Sequence, residues 1–291
     1  MPLSRALDRL RADAHVSADG FLSLVPEPRV LDRSELRSLD SVAEQEFGIP
    51  PAVLMENAAL HAARGVRALA PKAVLVVCGG GNNGGDGFAL TRQLATFGVH
   101  ARAVLVTDPE KRSPLAEMNR NAAQRLGLTL EHPAGSTPSG HAQNLVGTGA
   151  WDVVIDAMFG TGLSRPIDGP LADLIETINS VREKTRRFRT ASLDIPSGLD
   201  GDSGRAGGTV IQADLTVTFA SSKVGFGAIE AQHALGEIVL VPIGVPGSLT
   251  SRFGVPLDLS PGTHWRDAHR VATTRAGVES ASRPAGRDAA R

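Results

Sequence analysis

Apolar positions along this chain fall into two alternating patterns. Short, largely β-branched runs without polar alternation occur at Ala73–Cys78, Ala101–Val106, Trp151–Ala157, Thr190–Ile195, Ala213–Ala220 and Glu237–Val241. Between several of them the apolar residues switch to three- and four-residue spacing, as in Phe88, Leu90, Leu94 and Phe97, and over Leu115–Leu126 and Pro170–Val181. Runs that are apolar on both faces predict strands buried on both sides, and the intervening spacing predicts helices. Strands alternating with helices predict an α/β fold with a mostly parallel sheet covered on both faces. Upstream, Asp32 and Glu35 form a capping-box pattern. They open a helix with Leu36, Leu39, Val42, Ala43 and Phe47 inward, closed by Gly48. Pro50-Pro51 opens a second helix through Leu54 and Ala62. Leu128–Leu130 reads as a short strand followed by a loop rich in Pro, Gly and Ser.

The pattern also sets expected boundaries. Residues 1–29 read as a weakly ordered extension with a short helix at Leu3, Leu7 and Leu10. Residues 30–259 read as a single domain without internal repeat. Residues 260–291, rich in Ala, Arg, Gly and Ser, read as a disordered tail. With 291 residues, 42% of them hydrophobic, the chain can bury a large core. A net charge of −1 argues against a nucleic-acid or anionic-membrane partner. The single cysteine, Cys78, rules out an internal disulfide framework; at a strand end it reads as a small buried hydrophobe. No run reaches transmembrane length, and Asp8 and Asp13 weaken a transit-peptide reading. The expected location is the cytoplasm.

Candidate chemistry gathers at strand ends, where an open α/β sheet places its site. The Gly79–Gly87 loop contains only Gly, Asn and Asp, and formally fits a Gly-x-Gly-x-x-Gly dinucleotide fingerprint. Asp86, however, would repel a phosphate at a helix N-terminus. The amide oxygens of Asn82 and Asn83 suit a cation or sugar hydroxyls. The plainer reading is a tight turn with Asp86 as N-cap. Asp156 ends the Trp151–Ala157 run and leads into Met158–Pro166; Asp194 ends the next strand in Ser192-Leu-Asp-Ile-Pro-Ser-Gly198. Either acid alone suits a loop cap, but two beside an oxygen-rich loop suit acid/base chemistry. Ser197 lacks a Gly-x-Ser-x-Gly elbow and a poised histidine, so a hydrolase nucleophile is disfavoured. Asp200-Gly-Asp-Ser-Gly204 fails as a calcium loop because Ile211 occupies its twelfth position. Lys223 reads equally as a phosphate partner and as a solvated loop lysine.

Taken together, these segments resemble the NAD(P)H-hydrate epimerase family. The resemblance rests on Leu54-Met-Glu-Asn-Ala58, Gly81-Asn-Asn-Gly-Gly-Asp-Gly87, Val154-Ile-Asp-Ala157 with Gly160-Thr-Gly162, and Leu193-Asp-Ile-Pro-Ser-Gly198. Ala213–Phe219 and Ile243-Gly-Val-Pro246 also fit, so it spans roughly Val30 to Pro246. It implies a single-domain, three-layer α/β/α Rossmann-like fold. The implied reaction is an isomerisation for metabolite repair: interconversion of the R and S epimers of NADH and NADPH hydrated at C6 of the nicotinamide ring, so that an S-specific dehydratase can restore the cofactor. The resemblance further implies one potassium ion per subunit, with Asn83, Asp156 and Ser197 among its ligands. Implied substrate contacts are Asn82, Asn83, Gly84, Gly85 and Asp86, the loop of Gly160, Thr161, Gly162, Leu163, Ser164, Arg165 and Pro166, and Asp194. We assign Asp194 as general acid/base. A homodimer, built with the N-terminal helices, is also implied.

Many bacterial relatives continue into a dehydratase domain; the residues after Pro246 are too few and too polar for one, so dehydration is not expected of this chain. The competing reading is a non-catalytic dimerisation or scaffold member of the same fold. A conventional nicotinamide oxidoreductase is disfavoured, because Asp108 is the nearest acid for the ribose and falls past the second strand.

Overall fold

The computed structural model describes residues 14–17, 20–108, 112–163, 165–260, 264–267, 269–270 and 274. The chain opens with β1 (His15–Val16), β2 (Phe21–Ser23) and β3 (Arg29–Leu31), followed by helices α1 (Arg33–Gln45) and α2 (Pro51–Ala68). Alternation then sets in with β4 (Ala73–Cys78), α3 (Asn82–Thr96), β5 (His100–Leu105), α4 (Pro114–Arg125) and α5 (Pro138–Thr148). It continues through β6 (Val153–Ala157), α6 (Gly169–Thr185), β7 (Arg189–Leu193), β8 (Leu215–Phe219), β9 (Ser222–Lys223), β10 (Glu237–Val241) and β11 (Val255–Pro256).

Eight strands form one sheet in the order β1-β2-β10-β8-β7-β6-β4-β5. Every pairing in it is parallel except β1 with β2. Val74, Leu75, Val76 and Val77 are all fully buried, because both faces of β4 are covered. Val74 and Val76 join Ala62, Val66 and Leu90 of α2 and α3 on one face. Leu75 and Val77 join Val146, Leu174 and Ile178 of α5 and α6 on the other. That is the expected three-layer α/β/α arrangement. A second sheet, β11-β3-β9, packs against the first, with Val30 and Val255 sharing a core with Phe21, Ile238 and Leu240. Among the described residues no helix is long and apolar enough to cross a membrane.

Several expectations are corrected. The folded region begins before Val30: β2 extends the sheet beside β10, and Phe21 is fully buried. The strand is too short for periodicity to reveal it, and only partners distant in sequence make it pay its ordering entropy. Similarly, Trp265 and His269 of the expected tail are buried, Trp265 against Phe21 with ring centroids 5.4 Å apart. The expected helix at Leu3, Leu7 and Leu10 and most of the tail lie outside the described residues. The stretch read as a loop contains α5, capped by the Thr137 hydroxyl accepting from the Gly140 N–H. Leu128–Leu130 contributes a single bridge, Ala103 to Thr129, rather than a strand. The capping box at Asp32 and Glu35 forms, but the helix ends before Phe47, which is 51% exposed. Finally, α3 starts at Asn82 with Gly81 as N-cap, so Asp86 lies inside the helix instead of capping it.

Candidate functional site

The carboxyl ends of β4, β6, β7 and β8 open into a cleft of about 690 Å³. The strand ends beside it are fixed first by backbone register, through residues that do not themselves line the cleft. Asp156 of β6 pairs with Ser192 of β7, and neighbours in register point to one face of a sheet. The Ser192 hydroxyl accordingly donates to Asp156 Oδ2 at 2.9 Å. The same oxygen accepts the Ser197 N–H at 2.8 Å, while Oδ1 accepts the Ser197 hydroxyl at 2.6 Å and the Met158 N–H at 3.2 Å. Burial pushes the Asp156 carboxyl above its ordinary range, against these hydrogen bonds, led by those from Ser197. Asp156 is a tie between loops, and Ser197, 1% exposed, is no nucleophile.

Asp194 stands one step further on, directly after β7. Its φ is +64°, a left-handed conformation that an aspartate tolerates better than most residues. Its N–H donates to the Val217 carbonyl at 2.8 Å, which holds the turn. Its carboxylate lines the cleft. A Cβ added to Gly160 would stand 3.3 Å from both Asp194 Oδ2 and Asn83 Cβ, so the glycine leaves open the space between these two side chains. Asn83 is 7% exposed, and neither its Oδ1 nor its Nδ2 has a partner. Leaving such a group unpaired costs about 1–3 kcal/mol, so this amide is prepared for a ligand.

Two further carboxyls line the cleft. Burial raises Asp86 well above the ordinary aspartate range; the negative charges of Asp194 and Asp40 add to this, and Lys223 opposes it. Asp40 of α1 sits at the open side, yet the surrounding wall and then Asp194 push its pKa to about 6. The cleft therefore presents carboxyl groups whose proton affinities differ, an arrangement suited to acid/base work.

Of the sequence-identified residues, Asn82, Asn83, Asp86, Gly160, Thr161, Gly162, Leu163, Arg165 and Asp194 line the cleft together. Ser164 lies outside the described residues. Pro166 instead packs toward Gly207, and Gly84 and Gly85 are packing positions. A Cβ at Gly84 would stand 1.9 Å from the Gly79 carbonyl, and one at Gly85 would stand 2.9 Å from Met55 Cε. These glycines let α3 press against β4 and α2. In the Leu54–Ala58 motif, Met55 lines the cleft, Glu56 pairs with Arg92, and Asn57 donates to the Ile243 carbonyl at 3.0 Å.

Sequence reasoning missed Arg37 and Asp40, which reach the cleft from α1. Their only signal was a polar face on a helix, which is ordinarily solvated. Lys223 is neither a solvated loop residue nor an exposed phosphate partner: it is 1% exposed and its Nζ lies 2.5 Å from Asp194 Oδ1. Cys78 is fully buried, as expected, and burial raises its thiol pKa well above the usual range. Asp200 closes a turn, accepting the Ser203 N–H at 2.7 Å and pairing with Arg33. Among the described residues no three His, Cys, Asp or Glu side chains converge to hold a metal ion.

Comparison with known proteins places this geometry. The family model for the YjeF-related protein N-terminus matches residues 51–225. An NAD(P)H-hydrate epimerase of Rhodopirellula baltica is 36% identical over 221 residues, covering 76% of this chain and 86% of that protein. One from Limosilactobacillus reuteri is 33% identical over 215 residues, covering 73% and 94%. A bifunctional NAD(P)H-hydrate repair enzyme Nnr of Thermofilum pendens is 36% identical over 218 residues, but this chain spans only 40% of its length. Among solved structures, yeast ynu0, YNL200c, superposes with a TM-score of 0.64 at 21% identity, over 78% of this chain and 94% of that one; this likeness concerns the fold. With a family match across the cleft-forming core and relatives aligned over most of their length, the chain belongs to the NAD(P)H-hydrate epimerase family, that of the YjeF-related protein N-terminus.

Proposed function

We propose that this protein is an NAD(P)H-hydrate epimerase, an isomerase that interconverts the R and S epimers of NADH and NADPH hydrated at C6. The observation that carries the reading is the convergence of Asn83, Asp86, Gly160 and Asp194 on one cleft in a chain of this family. Asp194 serves as general acid/base. Its carboxylic acid gives a proton to the C6 hydroxyl, the C6–O bond breaks, and the ring nitrogen lone pair fills the gap as water departs. The iminium-like cation is stabilised by the cleft's negative charge. Water then adds to either face and returns its proton to the Asp194 carboxylate, so no atom is gained or lost. Asp86 and Asp40, with their raised proton affinities, keep the cleft from becoming a fully ionised carboxylate cluster.

The potassium site is part of the same proposal. Asn83, Asp156 and Ser197 offer an amide oxygen, a carboxylate and a hydroxyl, a hard oxygen set that fits an alkali cation better than one demanding several carboxylates. The unpartnered Asn83 Oδ1 supports the fit. When bound, the ion supplies fixed positive charge beside the loop ends. We further propose a cytoplasmic homodimer, working with a separate S-specific dehydratase. Phe47 and Val53, 51% and 46% exposed at the α1–α2 corner, support an interface built with these helices.

The test is an epimer assay. The protein is mixed with the R epimer of hydrated NADH and an S-specific dehydratase, with and without potassium. NADH appearing rapidly only when this protein is present supports the assignment. NADH formed at the uncatalysed rate by protein shown to be folded refutes it and favours a scaffold member of the family.

A further inference from the structure

Lys223 is buried to 1% exposure, and no step of the proposed reaction uses it. Its backbone belongs to β9, paired with β3 at Leu31, so the side chain reaches from the second sheet to the ends of β7 and β8. There Nζ lies 2.5 Å from Asp194 Oδ1 and donates to Thr218 Oγ1 at 2.6 Å, the Phe219 carbonyl at 3.2 Å and the Ser221 carbonyl at 3.3 Å. We infer that Lys223 is a positioning residue for Asp194: its ammonium occupies one carboxylate oxygen and leaves the other facing the substrate across Gly160. The inference rests on the proposed reaction for the identity of the substrate and on geometry for the rest.

Three neutral oxygens surround the ammonium besides the carboxylate. They match its three N–H donors in number. They keep the charge solvated when Asp194 takes up a proton, so the lysine stays in place through a cycle in which its counter-charge comes and goes. The backbone around it is bent for this purpose. Asp194 and Ala220 both adopt left-handed conformations, φ +64° and +60°, at two neighbouring strand ends. Such conformations are disfavoured for residues other than glycine, and strain of this kind gathers where geometry is functional. The turn at Ala220 brings the carbonyls on either side of it onto Nζ. Asp194 Oδ2, free of the lysine, stands 3.3 Å from the place a Cβ would take at Gly160.

The charges around Asp194 make the cation necessary. Asp86 of α3 and Asp40 of α1 repel its negative charge. Arg37 and Arg165 line the wider cleft, and among the described residues Lys223 is the cation paired with Asp194. His269, whose Nε2 lies 3.1 Å from the Ser222 hydroxyl beside Lys223, is kept neutral by burial, its pKa lowered to about 4. Lys223 is therefore the close counter-charge to the carboxylate that Asp194 becomes when it gives up its proton.

The test compares the parent with Lys223→Met, which keeps the length of the stem and removes the charge. Far-UV circular dichroism and thermal unfolding check the fold, and kcat, KM and the pH–rate profile are measured with the coupled epimer assay. The expected result is a kcat lowered by about 100-fold or more and a KM changed less than about threefold, because the lysine does not touch substrate. The alkaline limb of the profile, set by loss of the Asp194 proton, moves to higher pH, since removing a positive neighbour makes a carboxylate harder to ionise. Lys223→Arg, which keeps the charge, retains the parent's alkaline limb. A Lys223→Met profile that superimposes on the parent's, or a rise in KM with kcat intact, overturns the inference. Should Lys223→Met not fold, Thr218→Val, which removes one anchor of the ammonium, decides by the same readouts: a lowered kcat and a raised alkaline limb support the inference and an unchanged profile overturns it. A parent inactive on either epimer refutes the epimerase reading instead. Carboxyl-carbon NMR then tests the pairing without turnover: the Asp194 signal must titrate at higher pH in Lys223→Met than in the parent.

Discussion

Asp156→Asn separates charge from geometry at the buried tie between the end of β6 and the Ser197 loop. The parent carboxylate accepts four hydrogen bonds: two from N–H groups, of Met158 and Ser197, and two from the hydroxyls of Ser192 and Ser197. An asparagine amide can put its NH2 at only one of the two oxygen positions. At Oδ2 it would meet the Ser197 N–H, a donor that cannot reverse. At Oδ1 it meets the Ser197 hydroxyl, which can turn and donate to the Phe159 carbonyl 3.3 Å away, leaving only the Met158 N–H without its acceptor. One orphaned buried donor costs about 1–3 kcal/mol. The expected destabilisation is thus about 1–3 kcal/mol, well below the 3–5 kcal/mol typical of a broken buried ion pair. For a fold of this size that lowers Tm by roughly 2–12 °C. The sign of its pH dependence follows from the raised pKa. The folded parent binds its proton more tightly than the unfolded chain, so the parent gains stability as pH falls through the folded pKa toward the unfolded one and loses it as pH rises back through the folded pKa. Asp156→Asn lacks this gain, so the difference from the parent is larger at pH 4.5 than at pH 7 (about the ordinary Asp range and neutrality). Urea unfolding in potassium-free buffer measures both. A difference that is constant with pH, or larger on the alkaline side, would refute the reasoning.

Three other outcomes are expected. Asp40, with its pKa raised to about 6, favours the folded state most at pH below the unfolded value and loses this contribution as pH rises toward 6. Asp40→Asn should therefore show a flatter decline of Tm with pH over that window, and a slope equal to the parent's would remove the basis for the raised value. Gly87→Ala places a methyl 2.6 Å from Ala157 Cβ and 2.8 Å from Cys78 Sγ, atoms held in the sheet, whereas Gly81→Ala meets nothing within 4 Å. Denaturant titration should find the first destabilised by about 1–3 kcal/mol and the second within about 0.5 kcal/mol of the parent. Gly160→Ala inserts a methyl 3.3 Å from Asp194 Oδ2 and Asn83 Cβ. It should slow epimerisation by about tenfold or more while Tm moves by less than roughly 2 °C, and full turnover would show that substrate does not use this space.

The fold class was legible because parallel strands buried on both faces leave an unmistakable record, runs such as Val74–Val77 with no polar residue between them. The candidate site was legible at polar residues that an apolar strand end does not need for folding: the successive amides at 82 and 83, and the aspartates at the ends of apolar strands at 156 and 194. What local pattern could not supply were elements whose stability comes from distant partners. β2 is a strand only because β10 lies beside it, and Trp265 is buried only because Phe21 waits underneath. The same holds for the division of labour among the site residues. Spacing alone marks Gly84 and Gly85 as loop residues beside a ligand, while helix packing makes them points of backbone contact. Lys223 and Asp194 are far apart in the chain's local patterns, and nothing near either names the other. The sequence by itself determined the alternation of strands and helices and which polar residues stand at the strand ends. Only the tertiary structure decided which of those ends meet, because the low dielectric of a shared, buried cleft is what turns separate side chains into one ion pair and one coupled set of carboxyls.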